Sequence, residues 1–457
     1  GDLVFGTRAT GGDANTVPGE RLRITSSGLV GIGEDSPTAE LHVGPSGTNT
    51  RIRLTNDNTG AIATDGFQLS INAAKNAYVW NWENTNLVFG TNNVSRVTIN
   101  STGNAEFTGI VTATNFVPTT VPTSHRNIFV NGSCAIAQRG ASFTGSDVYV
   151  VDRWHVGFAW NGANSVNCSQ QNITTGDPYD AGFRSAIKVN STGSSGDAAA
   201  DWVQLEYAIE GQDMCQWGWD YNNTNSTISL SFWGKASVGF GCKAFLMSDN
   251  GSTYYVYPID IPLTTAWQKF KFEGIPGHAS IAFNNTSAKG LRLIIVPYYG
   301  TDYTVGSGAD ANEWHQFTSG NYVNDMSNTF RTSATEVYFT GLQLELGSQC
   351  TPFEHRTYGE ELTLCQRYYY TTGASVGGAG QSYSANTADG VRWFFPWPST
   401  MRATATTTCS GGSDGGSNAT LVVVASTSQG CVMNLRSTDS NTSVWWTGAT
   451  VTADADF

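Results

Sequence analysis

Charge is scarce in this 457-residue chain, where Asp, Glu, Lys and Arg together make up only 13%. A disordered chain would carry more charge and fewer rings than the 12% aromatic content here, so disorder is excluded for most of the length. The Leu, Glu, Lys and Arg of a helix-rich protein are also too few, whereas Thr, Ser, Asn, Val and 51 Gly abound. Such a composition predicts short strands separated by turns: an all-β protein. No segment is basic. The net charge is −13 overall, and −2, −8 and −3 over residues 1–126, 127–358 and 359–457. Nucleic acid is therefore excluded as a partner, because binding it requires Lys and Arg to neutralise phosphates. The longest apolar runs, Leu291 to Pro297 and Leu421 to Ala425, fall far short of a membrane span, so no membrane insertion is expected.

Cysteine is absent from the first 126 residues, and the eight between Cys134 and Cys431 include no C-x-x-C pair. Their wide, irregular spacing predicts reduced thiols and folding in a reducing cytoplasm, with a Cys350–Cys365 bridge left open. No signal peptide precedes the first motif, and Gly1 opens inside a strand-like pattern, which predicts a longer parent chain with further N-terminal residues.

What is present begins with a repeat. Leu3-Val4-Phe5-Gly6-Thr7 recurs as Leu87-Val88-Phe89-Gly90-Thr91, and Arg21 to Gly28 matches Arg96 to Gly103. The two offsets differ by nine residues, an insertion around Ala9 to Pro18. Between the copies, Ile52/Leu54, Phe67/Leu69/Ile71 and Tyr78/Trp80/Trp82 alternate with polar residues, so each strand has one dry face. No helix is predicted to cover those faces. Identical chains wrapped around one axis could cover them.

Pro118, Pro122 and the Thr/Ser around them read as a linker. Residues 127–358 then hold 35 of the 54 aromatics, and about ten strands predict a β-sandwich of jelly-roll type. Near its end Val337/Phe339 and Leu342/Leu344 lie in opposite phases with Gly341 between them, as in a bulge that switches faces. The last 99 residues, 359–457, are again β-like. There Trp393, Phe395 and Trp397 share one face, and Phe394 points away.

Several stretches resemble tail-fibre proteins of tailed phages. Thr64-Asp65-Gly66-Phe67, Ala77 to Asn84, Leu87 to Asn93 with Arg96, and Gly28 to Gly33 with Ser36-Pro37 and Leu41-His42-Val43 are similar to shaft modules of such fibres. The closing run Val337 to Glu345, with Gly347, Thr351 to Glu354 and Arg356, resembles the last strand and exit of carbohydrate-binding-module-like sandwiches in phage tail proteins. Asn127 to Ser133, Gln138-Arg139-Gly140 and Asp152-Arg153-Trp154 are similar to the same domains, and Glu361 to Tyr369 to the start of a small distal domain. The resemblance implies an elongated homotrimeric virion fibre. Residues 1–126 would be its shaft, 127–358 the sandwich and 359–457 a receptor-binding tip, with other virion tail proteins held through the N-terminal side.

Catalytic motifs are missing. Gly411-Gly412-Ser413-Asp414-Gly415 fits G-x-S-x-G as a string, but no helix is predicted after it, so it reads as a surface turn. None of the six His is paired at a metal-ligand spacing, and His315 beside Glu313 and Trp314 reads as a loop histidine. Asp310-Ala311-Asn312-Glu313 and Asp249-Asn250-Gly251 offer oxygens to a structural calcium without fitting an EF-hand, and read as solvated turns. No cofactor is expected. The paired carboxylates of a glycosidase cannot be singled out among 20 Asp and Glu in the middle segment.

The remaining signal is aromatic. Trp160, Trp314, Trp445 and Trp446 lie among Asn, Asp, Gly and Ser, the mixture that stacks a pyranose and bonds its hydroxyls, although any single one of them reads first as core. Adjacent Trp445 and Trp446 point to opposite faces of a strand, so one is expected outside the core, next to Asn441. The expectation is a non-enzymatic fibre that binds a host surface polysaccharide or lipopolysaccharide. The alternatives are a fibre-borne depolymerase and a purely structural filament protein.

Overall fold

A computed structural model describes residues 1–8, 17–44, 48–109, 125–160, 166–192, 199–304, 312–318, 322–324, 326–373, 375–382, 390–414, 419–437 and 442–457. Half of the described residues are strand and 7% are helix, so the protein is all-β, as its composition predicts. It divides into two compact units, residues 1–117 and 118–457. The predicted linker around Pro118 and Pro122 lies outside the described residues.

The first unit holds three small sheets. Both copies of the repeat fold alike: Leu3–Thr7 pairs with Gly19–Ile24, and Leu87–Thr91 with Val94–Ile99. Both registers shift at the Phe–Gly step, Phe5/Gly6 and Phe89/Gly90. A third strand then joins the second of each pair, Val30–Ile32 in one copy and Ala105–Phe107 in the other. Between them, Thr50–Leu54, Phe67–Ile71 and Ala77–Asn81 form a meander. The alternation is present but the dry faces are wet. Leu54 is 63% exposed, Leu3 54% and Ile71 54%, and among the described residues of this unit only Gly31, Pro37, Gly66 and Gln68 are buried.

In the second unit two antiparallel sheets face each other. The six-stranded sheet runs, in spatial order, Ser142–Phe143, Val166–Asn172, Ser185–Ser191, Glu336–Leu346, Thr227–Ala236 and Gln268–Pro276. The seven-stranded sheet runs Val148–Val151, Trp154–Ala159, Trp202–Glu210, Lys289–Tyr299, Phe240–Asp249, Tyr254–Leu263 and His315–Gln316. The rings of Phe129, Trp154 and Tyr207 pack with centroids 4.7 to 5.6 Å apart in the layer between. Leu205, Phe232 and Phe339 are fully buried there, each worth about 1.5–3 kcal/mol relative to exposure.

The predicted phase switch is real. Val337 and Phe339 before Gly341, and Leu342 and Leu344 after it, all reach the core, and the register with Thr227–Ala236 slips between Ser231 and Trp233. Gly341 adopts φ +64°, and a Cβ there would lie 2.6 Å from the Phe183 ring, so only glycine fits.

Residues 359–457 build a second core between two further sheets. One is Gly390–Pro396, Gly430–Ser437 and Ala419–Ser426. The other centres on Thr442–Asp454, flanked by Tyr369–Thr371 and Val376–Ser382 on one edge and by Thr406–Asp414 on the opposite edge. Trp393, Phe395 and Trp397 pack into this core, while Phe394 is 54% exposed.

This second core is fastened to the sandwich by buried charge. Arg153, fully enclosed, lies 3.5 Å from the Tyr368 ring centroid and 4.8 Å from that of Tyr207, and pairs with Asp456 at 2.8 Å. Glu210, equally enclosed, accepts two hydrogen bonds from Arg367 and one from the Tyr368 hydroxyl, each 2.7 Å. Arg402 donates to the carbonyls of Ser287, Ala455 and Asp456. A buried pair of this kind is weak evidence of net stability, but removing one partner strands a charge.

Candidate functional site

A strand exposes alternate residues to opposite faces, so each core strand of the seven-stranded sheet also has an outer face. On Trp202–Glu210 the inward Val203, Leu205 and Tyr207 alternate with outward Trp202, Gln204 and Glu206. On Lys289–Tyr299, inward Leu291 and Leu293 alternate with outward Arg292 and Ile294. The outer face carries a hydrophobic cluster of its own. Phe245, Met247, Val256, Ile294, Val296, Tyr299 and Val323 are buried in it, with Trp202, Tyr254, Tyr303, Phe317 and Tyr322 partly buried around them.

Within this cluster is a cleft of about 270 Å³ lined by Trp202, Gln204, Met247, Arg292, Ile294, Tyr299, Tyr303 and Tyr322. Its aromatic wall is close-set. The Tyr299 ring lies 5.3 Å from Tyr303 and 5.6 Å from Tyr322, and Phe317 supports Tyr322 at 4.4 Å. Its floor is polar and continuous. The Tyr299 hydroxyl donates to Gln204 Oε1 at 2.6 Å, and Gln204 Nε2 donates to Glu206 Oε2 at 3.3 Å. Arg292 then grips Glu206 with two bonds of 2.8 Å, and Lys289 adds a third at 2.9 Å. Burial pushes the Glu206 carboxyl up, but the charges and hydrogen bonds of Arg292 and Lys289 outweigh it and hold it down at about 2. Burial also pushes the Tyr299 phenol well up, so it is a neutral donor at physiological pH. A flat apolar wall above fixed donors and acceptors suits a pyranose, which has an apolar C–H face and a polar rim.

A larger concavity of about 620 Å³ is lined by His125, Glu354, His355, Arg356, Glu360 and Leu364, among others. Its polar groups serve the fold. Glu354 accepts the Asn127 amide at 2.9 Å, Arg356 donates to the Phe129 carbonyl at 3.1 Å, and Glu360 closes a capping box with Thr357.

The tryptophans expected from sequence do not line the cleft. Trp160 packs edge-on to Tyr298 and Phe330 at 6.1 and 6.5 Å, with Arg331 over its ring. Trp314 leans on Tyr257 and donates Nε1 to the Pro276 carbonyl at 2.7 Å. Trp445 is 47% exposed, whereas Trp446 packs against the second core and its Nε1 has no partner among the described residues. Asn441 lies outside the described residues.

Trp202 and Tyr299 escaped sequence reasoning because their strands read as core, and Tyr303 and Tyr322 because they lie outside the strands. A signal was there: Phe245-Leu246 and Ile294-Ile295 are apolar in both phases, which means a strand covered on both faces. Glu206 and Arg292, opposite charges inside two such strands, were a second.

The other expectations resolve plainly. Gly411 to Asp414 belong to the strand Thr406–Asp414 rather than to a surface turn, and Gly415 lies outside the described residues. Gly412 has φ +77°, and a Cβ there would lie 2.4 Å from Trp446 Nε1. The Asp249 carboxylate accepts the Gly251 amide at 2.8 Å, and Asn250 Oδ1 accepts those of Ser252 and Thr253. Asp310 and Ala311 lie outside the described residues. Among the described residues no group of three or more His, Cys, Asp or Glu could hold a metal, and no helix is long and apolar enough to cross a membrane. His315 is half-buried and pairs through its backbone with Val256. All eight cysteines are free, including Cys350 and Cys365, and burial pushes the Cys134 and Cys168 thiols up to about 12.

No family model and no curated protein matches the chain. Among solved structures it is similar to the enzymatically active domain of tailspike protein 4 of bacteriophage CBA120, at 9% identity and TM-score 0.26, covering 48% of this chain. The match spans 21% of that tailspike chain. It is also similar to a family 11 carbohydrate-binding module from Clostridium thermocellum, at 10% identity and TM-score 0.23, covering 47% of this chain and 99% of the module. A third is a putative sugar binding protein from Bacteroides thetaiotaomicron, at 9% identity and TM-score 0.27, covering 48% and 100%.

Proposed function

We propose that this chain is a tail-fibre protein of a tailed phage that binds a host-surface glycan without altering it. The observation that carries the glycan reading is the cleft on the outer face of the seven-stranded sheet, where Trp202, Tyr299, Tyr303 and Tyr322 meet the polar floor of Gln204, Glu206 and Arg292. The resemblance of the first quarter of the chain to fibre shaft modules supports the phage assignment. The exposed apolar strands of residues 1–117 support assembly with identical chains, in a homotrimer on this reading. Trp445 on the second core is a further exposed ring that could add contact area. Host polysaccharide or lipopolysaccharide is the partner, and other virion tail proteins join on the N-terminal side. The fibre folds in the host cytoplasm, in keeping with eight free thiols.

One stacked ring contributes on the order of 1 kcal/mol, and linked copies multiply the effect through avidity. Full-length Trp202→Ala and Tyr303→Ala chains should therefore adsorb to host cells at least about tenfold more weakly while staying folded at the assay temperature. Wild-type adsorption by both variants would remove the cleft from the account. A reducing-sugar assay on host polysaccharide should stay at background, and sustained release would make the chain a depolymerase.

A further inference from the structure

We infer that the sandwich cleft takes an uncharged saccharide, a statement of ligand class that rests on the glycan reading above. Its charged groups cancel locally. Arg292 and Lys289 both bond Glu206, and the other Arg292 nitrogen, Nη1, stands 3.9 Å from Asp249, so two cations face two carboxylates. His155, cross-strand from Glu206, is pushed down by burial and adds no charge at neutral pH. Arg292 Nη1 also approaches the Met247 sulfur at 3.4 Å.

An acidic sugar would have to share Arg292 with Glu206, whose side chain is only 6% exposed and is held by three bonds from Arg292 and Lys289. Two carboxylates would then compete for one guanidinium in a desolvated site, the like-charge arrangement that discriminates against wrong ligands. A cationic ligand meets the opposite obstacle in Arg292 and Lys289. Hydroxyl groups meet neither, because each can donate to a carboxylate and accept from a guanidinium. The surroundings point the same way, since residues 127–358 carry a net charge of −8 that disfavours the approach of polyanions.

The test presents the full chain with an array of neutral hexose hexasaccharides, each beside its counterpart with C6 oxidised to carboxylate. A neutral probe should bind at least about tenfold more tightly than its acidic twin, and its affinity should change less than about twofold between low and high salt. Asp249→Asn adds one net positive charge while keeping the oxygen that accepts the Gly251 amide. That variant, and Glu206→Gln beside it, should narrow the gap between the twins about threefold or more. Equal or tighter binding of the acidic twin, or a gap unmoved in both variants, overturns the neutral-ligand inference while the glycan reading stands. Binding of neither twin anywhere on the array overturns both.

Discussion

Residues 1–117 and residues 118–457 obey the same strand alternation and reach opposite ends. In the first unit the alternating Leu3, Leu54, Ile71 and Phe107 are all at least half exposed. In the second, Leu205, Phe232 and Phe339 are sealed. The strands themselves are not the difference. Sheets of three or four short strands have nothing to close against, whereas six strands facing seven close on each other. Period-2 sequence thus announces a dry face without saying what dries it, and on the proposed reading another chain does so in the first unit.

The largest effect should come from separating the units. Residues 118–457 alone should melt cooperatively as a monomer, whereas residues 1–117 should fold only as an assembly, with the full chain scattering light as about three times 48.9 kDa. A folded, monomeric 1–117 fragment would erase the contrast.

Next in size is Arg153→Ala. It leaves Arg139, at 2.8 Å, as the remaining cation of Asp456 and removes the guanidinium stacked between Tyr368 and Tyr207, at a cost of about 3 kcal/mol. Calorimetry should show the transition of residues 118–457 falling or splitting, while trimer mass is retained. An unchanged melting point would mean that the second core holds without its buried charge.

Glu206 gives the pH counterpart. Its folded carboxyl, at about 2, lies below the ordinary glutamate value of 4.5, so it contributes stability above that value and loses it as pH falls from about 4.5 to 2. The loss should approach about 3 kcal/mol. Denaturant melts across that window should show the slope for wild type and a shallower one for Glu206→Gln.

A smaller loss, about 1–2 kcal/mol before any clash with Phe183, is expected for Gly341→Ala from the left-handed backbone alone. Trp445→Ala should change melting by no more than about 0.5 kcal/mol, as befits an exposed ring.

Local features were legible in the sequence, and long-range ones were not. The Gly341 bulge could be read because the two phases and the glycine stand within eight residues, and Trp445 because neighbours on a strand must diverge. The Arg153–Asp456 pair joins residues 303 apart, and no periodicity encodes such a meeting. The cleft was hidden for a subtler reason. Trp202, Ile294 and Met247 lie on strands whose other face is genuine core, so burial of one side masked a site on the opposite side. Trp160 and Trp314 drew attention by being tryptophans near polar residues, yet their rings are spent on Tyr298, Phe330 and Tyr257.

The most direct measurement is calorimetric titration of the full chain and its Trp202→Ala variant with host surface polysaccharide, each with a melting curve taken alongside. Saturable binding that weakens at least about tenfold in a variant that stays folded at the titration temperature is the predicted result. Identical titrations for the two chains would contradict a glycan site on the outer sheet face.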